Sequence, residues 1–192
     1  MLTDDGSPLT AKLAQTLTQQ GLQVVVISLR SVTSKSLPPK IARVVIEDSD
    51  LPQQLDAIAS KYGSIAALIH LQPQLPDLER EHNMLKQVFF LAKQLKTSLN
   101  EASQKGDSCF FTIARLDGEL GTTGEGFDPI AGGLFGLTKA LRWEWSSVFC
   151  RAIDLGRLDT STSVEHIIAE LHDPNRLIAE VAYNNSRTTL VC

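Results

Sequence analysis

A tyrosine four residues ahead of a lysine on one helix lets the ammonium lower the phenol pKa, as a carbonyl reduction requires of its acid. The two tyrosines of this chain do not supply that pair. Ala66 stands four residues after Tyr62, and Arg187 follows Tyr183 outside any expected helix. The spacing does occur at Phe135-Gly136-Leu137-Thr138-Lys139, with a benzyl ring where the acid should be. Such a ring has no proton to give, so Lys139 reads as a surface or interface cation.

A pyrophosphate-binding turn needs glycines, so that the backbone can approach the phosphates and a helix N-terminus can face them. The first strand-to-helix turn, Thr3-Asp4-Asp5-Gly6-Ser7-Pro8-Leu9, has one glycine where three are wanted. Asp4 and Asp5 stand where an anion would sit, and Pro8 removes an amide donor. The turn reads as a solvated helix start capped by Ser7. The loop from Leu116 to Gly126 is glycine-rich, but Asp117, Glu119 and Glu125 make it a connection rather than a phosphate cradle.

The other candidates are plain core or surface residues. His70 ends an apolar strand and reads as a satisfied core or edge histidine. His82 lies among charged neighbours. His166 and His172 are six residues apart on one helix, hence on different faces and no metal pair. Cys150 sits inside an apolar run and reads as core rather than nucleophile. No G-x-S-x-G, H-E-x-x-H or P-loop occurs. No catalytic, cofactor-binding or metal-binding residue is expected.

The elements around these residues alternate. Short β-branched runs at Leu22–Leu29, Arg43–Ile46, Ile65–His70, Ser108–Ala114 and Val148–Leu155 suit strands covered on both faces. Helical spacing fills the gaps: residues 8 to 21, the stripe Leu51, Leu55, Ile58 and Ala59, and a long helix over about 78–103. That long helix shows Leu85, Val88, Phe89, Ala92, Leu95 and Leu99 on one face. Further helices are expected over about 129–145 and 164–171, the latter ending before Pro174. Leu177–Tyr183 and Thr188–Val191 flank Asn184–Asn185 and read as a terminal hairpin or a last strand with a turn. The alternation predicts α/β, a doubly wound parallel sheet forming one domain over residues 1–192. Its central first strand is reduced almost to nothing, so the chain is expected to be a piece of a longer polypeptide.

Composition narrows the function classes. With 192 residues and 43% hydrophobic side chains, the chain can bury a core and is not intrinsically disordered. A net charge of -4 without a basic block argues against nucleic acid. No apolar run has the length of a membrane span, and the three cysteines, Cys109, Cys150 and Cys192, suit neither a zinc knuckle nor a disulfide framework. A cytoplasmic, reduced setting is expected, with no membrane partner.

The stretch from Gly132 to Leu155, GGLFGLTKALRWEWSSVFCRAIDL, resembles a segment of the ketoreductase domains of type I polyketide synthases and related multienzyme fatty acid synthases. The resemblance lies in their N-terminal structural subdomain. The opening LTDDGSPLTAKLAQTLTQQGLQVVVISL and the closing AEVAYNNSRTTLVC are similar to the ends of that subdomain. The run from Lys139 to Glu144, with Trp143 and Trp145, looks closest to the versions in polyunsaturated-fatty-acid or cyanobacterial-type synthases. Ser146 and Ser147 depart from the pattern, which commonly has proline there.

The resemblance implies a truncated, Rossmann-like fold of the short-chain dehydrogenase type that is no enzyme on its own. It braces a downstream half that reduces β-ketoacyl chains on acyl carrier protein with NADPH. It implies no cofactor bound by this chain, and partnership with that catalytic half, neighbouring synthase domains and acyl carrier protein. Phe135, Trp143 and Trp145 are the candidate interface residues, because aromatic groups dominate interface energetics. The competing readings are a divergent short-chain reductase binding NADP(H) itself, or a stand-alone protein-binding module of the same fold.

Overall fold

The computed structural model describes residues 1–29, 32–33, 35–47, 50–75, 77–124, 129–184 and 186–191. Glu125, Gly126, Asn185 and Cys192 lie outside the described residues. The elements run β1 (Leu2–Thr3), α1 (Pro8–Gln19), β2 (Val25–Leu29), β3 (Ala42–Ile46), α2 (Leu51–Tyr62), β4 (Ala67–Leu71) and α3 (Leu78–Ser103). They continue with β5 (Cys109–Ala114), α4 (Pro129–Glu144), β6 (Phe149–Asp154), α5 (Thr160–Leu171), β7 (Ile178–Tyr183) and β8 (Arg187–Val191).

The sheet has the order β3-β2-β1-β4-β5-β6-β7-β8. β1 to β7 pair in parallel, and β8 returns antiparallel to β7. This is the expected doubly wound sheet, with the expected terminal hairpin. The apolar runs are continuous because each strand is covered on both faces. Val25, Ile27 and Phe110 pack with Met84, Val88, Leu91, Leu95 and Trp145 on one side. Val26, Phe111 and Ile153 pack with Leu13, Leu17, Val164 and Ile167 on the other.

The caps follow the sequence. Ser7 Oγ accepts from Leu9 N at 3.1 Å with Pro8 in the first turn, and Asp77 and Asp159 cap α3 and α5 in the same way. Two expectations need correction. β2 begins at Val25 rather than Leu22, which is 52% exposed where the chain leaves α1. Phe89 is not on the buried stripe of α3: Met84, Val88, Leu91, Ala92, Leu95 and Leu99 meet the sheet, and Phe89 is half exposed beside Phe90. A helix gains 100° per residue, so a face wide enough for 88, 91, 92 and 95 leaves 89 at its margin. Among the described residues, no helix is long and apolar enough to cross a membrane.

Candidate functional site

In a doubly wound sheet, ligands enter beyond the carboxyl ends of the strands, where the order reverses. Here that place lies between β1 and β4, and the chain's own side chains occupy it. Asp4, 2% exposed, accepts from Gly6 N (2.9 Å) and from Ser28 Oγ (3.1 Å), and pairs with Arg43 at 2.8 Å. Asp5 is held by Ser7 and Thr10, whose hydroxyls both donate to it at 2.7 Å. Gly6 has φ +74°, and a Cβ there would lie 2.9 Å from Thr33 O and 3.2 Å from Val32 Cγ1. The segment after β2 therefore already covers the turn that would have to admit a pyrophosphate. The residues present do not form a dinucleotide cradle.

Beside this turn, His70 is fully buried. Its Nε2 is hydrogen-bonded with Gln72 Oε1 and its Nδ1 with Thr3 Oγ1, both at 3.0 Å. Burial holds the imidazole neutral, lowering its pKa to about 4. The unfolded chain therefore takes up a proton as pH falls through about 6.5, while the folded chain resists down to about 4. Stability is full above that window and falls within it, by roughly 3 kcal/mol in all. Urea midpoints between pH 7.5 and 4.5 are expected to trace the fall, and His70→Gln to flatten it. A His70→Gln profile parallel to the parent's would exclude His70 as its source.

The second chemical locus is the Phe135–Lys139 spacing on α4. Phe135 is 4% exposed and packs with Ala114, Ala131 and Ala152, with Leu116 and Leu120 at the margin. Lys139 pairs with Glu180 on β7 at 3.0 Å. The inward hydroxyl of this helix, Thr138 Oγ1, is bound to Thr112 Oγ1 at 2.6 Å and to Leu134 O. Where a carbonyl reduction would need a phenol acid beside a free ammonium, the described residues offer an apolar ring and an ammonium paired with Glu180.

The loop after β5 is equally committed. Asp154, buried at the end of β6, accepts from Leu116 N, Gly118 N, Leu120 N and Gly156 N at 2.8–3.1 Å. Burial pushes its carboxyl up against the pull of these amides. Slight burial also raises Asp117, but donors from Thr123, Gly121 and Glu119 outweigh it and hold that carboxyl well below the usual range. Among the described residues of this loop, the amides of Leu116, Gly118 and Leu120 are thus engaged by Asp154, and those of Glu119, Gly121 and Thr123 by Asp117.

The sequence stretch that carries the family resemblance supplies structural groups. Arg151 is fully buried, yet its guanidinium reaches Glu170, Asp173 (3.0 Å), Ile178 O (3.2 Å) and Asn175 O (2.5 Å). Arg187 meets Glu170 at 2.6 Å and Asp173 at 2.5 Å, and Tyr183 OH donates to Glu170. Burial raises the Tyr183 phenol, so it stays protonated as a donor. This cluster ties β6, α5 and the β7–β8 hairpin together. Sequence reasoning missed it because Arg151 and Glu170 are hidden inside apolar patterns; the charged residue within the run from Val148 to Leu155 was the available signal.

Of the three interface candidates, only Trp143 is on the surface, 73% exposed. Phe135 and Trp145 are corrected: both lie in this chain's own interior, Trp145 at 1% exposure with its ring edge-on to Phe110. Helical spacing puts 135 and 138 toward the sheet and 143 away from it. Trp145, just past the helix, folds back under α3. Cys150 is core, 1% exposed, with its thiol pushed up to about 12 by burial. Among the described residues no group of His, Cys, Asp and Glu could hold a metal ion.

The fold is that of the short-chain dehydrogenases. A 3-ketoacyl-(acyl-carrier-protein) reductase from Brucella melitensis, complexed with NADH, superposes with a TM-score of 0.71 at 15% identity over 93% of this chain and 92% of its own. A short-chain dehydrogenase from Burkholderia cenocepacia, in complex with NADP, gives a TM-score of 0.64 at 16% identity over 96% and 86%. No protein-family model matches the chain. In sequence, the chain is 29% identical over 211 aligned residues to a polyunsaturated fatty acid synthase subunit of Thraustochytrium sp.. That alignment covers 99% of this chain and 7% of the relative's length. The resemblance to synthase ketoreductases is thus met in sequence by part of a fatty acid synthase and in fold by ketoacyl reductases.

Proposed function

We propose that the chain is the non-catalytic structural half of a ketoreductase in a polyketide or polyunsaturated fatty acid synthase. In this reading it binds no cofactor and serves a downstream NADPH-dependent half that reduces β-ketoacyl chains on acyl carrier protein. The observation that carries the proposal is the filling of the switch-point crevice by Asp4, Arg43, His70 and the segment at Val32–Thr33. Phe135 in its apolar surround supports it, since the acid's place holds no proton donor.

The role left to such a fold is mechanical: a rigid sheet against which a second domain can keep its shape. Trp143, exposed on α4, is the proposed contact with that catalytic half.

Titration of the chain with NADPH, read by nicotinamide fluorescence and thermal shift, is expected to show no binding up to millimolar cofactor. Saturable micromolar binding would overturn the proposal and favour a divergent reductase. For the interface, Trp143→Ala is expected to leave the melting of this chain unchanged. In the joined domain it should lower reductase activity about tenfold, as loss of an interface anchor does. Full activity in the joined variant would remove Trp143 from the contact.

A further inference from the structure

We infer that Asp4 is an internal anion, its carboxylate filling a site that the fold has shaped for a phosphate-type oxyanion. The inference rests on the reading that the crevice takes no dinucleotide, and adds what stands there instead. Three donors of different origin converge on this one side chain. Gly6 N, from the turn at the start of α1, donates to Oδ1 at 2.9 Å. Ser28 Oγ on β2 and Arg43 on β3 reach Oδ2 at 3.1 and 2.8 Å. An amide at a helix start, a hydroxyl and a guanidinium are the set by which proteins hold phosphate groups.

A second observation is an unused donor on Arg43, whose side chain is 26% exposed and whose Nη2 also donates to Lys35 O at 2.6 Å. Arg43 Nε is buried and has no partner among the described residues, so a planar carboxylate leaves a donor unused that a tetrahedral anion with more oxygens could engage. Asp4 itself is almost fully buried, which makes its charge dependent on these donors and theirs on it.

Removing the carboxylate should therefore turn an internal salt bridge into an anion-dependent one. Asp4→Ala is expected to melt about 5–10 °C below the parent in chloride-containing buffer. Inorganic phosphate at about 10 mM and matched ionic strength should recover at least half of that loss, because a ligand bound only by the folded state stabilises it. The parent should move by less than about 1 °C under the same change. Adding Arg43→Gln to Asp4→Ala should abolish the recovery. Should Asp4→Ala fail to fold, Asp4→Ser retains an acceptor for Gly6 N and carries the same readout. Equal responses of parent and variant to phosphate, or recovery that survives Arg43→Gln, would overturn the inference. Neither result depends on cofactor titration of the parent chain, so failure of the proposed function would be seen separately.

Discussion

Replacing Arg151 by alanine is expected to cost about 3–5 kcal/mol of folding stability, the largest effect of any single charged residue in the chain. Its guanidinium is fully buried and shared among Glu170, Asp173 and two backbone carbonyls. Truncation leaves Glu170, 1% exposed, with Arg187 and Tyr183 but without the cation beneath it. It also strands Ile178 O and Asn175 O, the carbonyls that fix the entry into β7. The stability measured by urea should fall accordingly, and the β7–β8 hairpin should lose amide-exchange protection first. The double variant Arg151→Met with Glu170→Leu should recover part of the loss, because an apolar pair carries no desolvation penalty. A single variant that loses less than about 1 kcal/mol would show that the cluster is not a clamp.

Trp145→Ala comes next, with an expected loss of about 3–5 kcal/mol from removed burial and the cavity left behind. The indole lies at 1% exposure under α3, edge-on to Phe110 with ring centroids 5.7 Å apart. Its Nε1–H is buried and has no partner among the described residues. An unsatisfied donor costs about 1–3 kcal/mol, so Trp145→Phe exchanges lost volume for a relieved polar group and should cost under about 1.5 kcal/mol. Thermal denaturation of the two variants separates the contributions. Equal destabilisation by Ala and Phe would mean that the indole nitrogen is satisfied in solution.

Much of the fold was legible because its strands are buried on both faces, which prints uninterrupted β-branched runs into the sequence. The turn chemistry at Ser7, Asp77 and Asp159 added the helix starts. What could not be read were outcomes decided by three-dimensional closeness. Phe135 and Trp145 are aromatic residues on or beside one amphipathic helix, and only the position of the sheet decides which face inward. Asp4 looked like a repulsive surface charge because its partners, Ser28 and Arg43, come from strands 24 and 39 residues away. The departure of the first turn and of α4 from a reductase pattern was legible, since missing glycines and a missing phenol are local facts. The means by which the chain closes that crevice was not.

The reversed direction of β8 has a consequence for how this stretch sits in a polypeptide. β1 starts at the amino-terminal rim of the parallel sheet, and Val191 at the end of β8 pairs with Ile178 at the same rim. Entry and exit therefore open on one side, five strand places apart in the sheet order, or about 24 Å at the usual spacing. Flanking sequence, wherever present, would leave both ports in the same half-space. The opposite rim, with its filled crevice, would stay clear of the connections. A domain with both ends on one rim can be carried as a side-hung insert, with nothing threading past it.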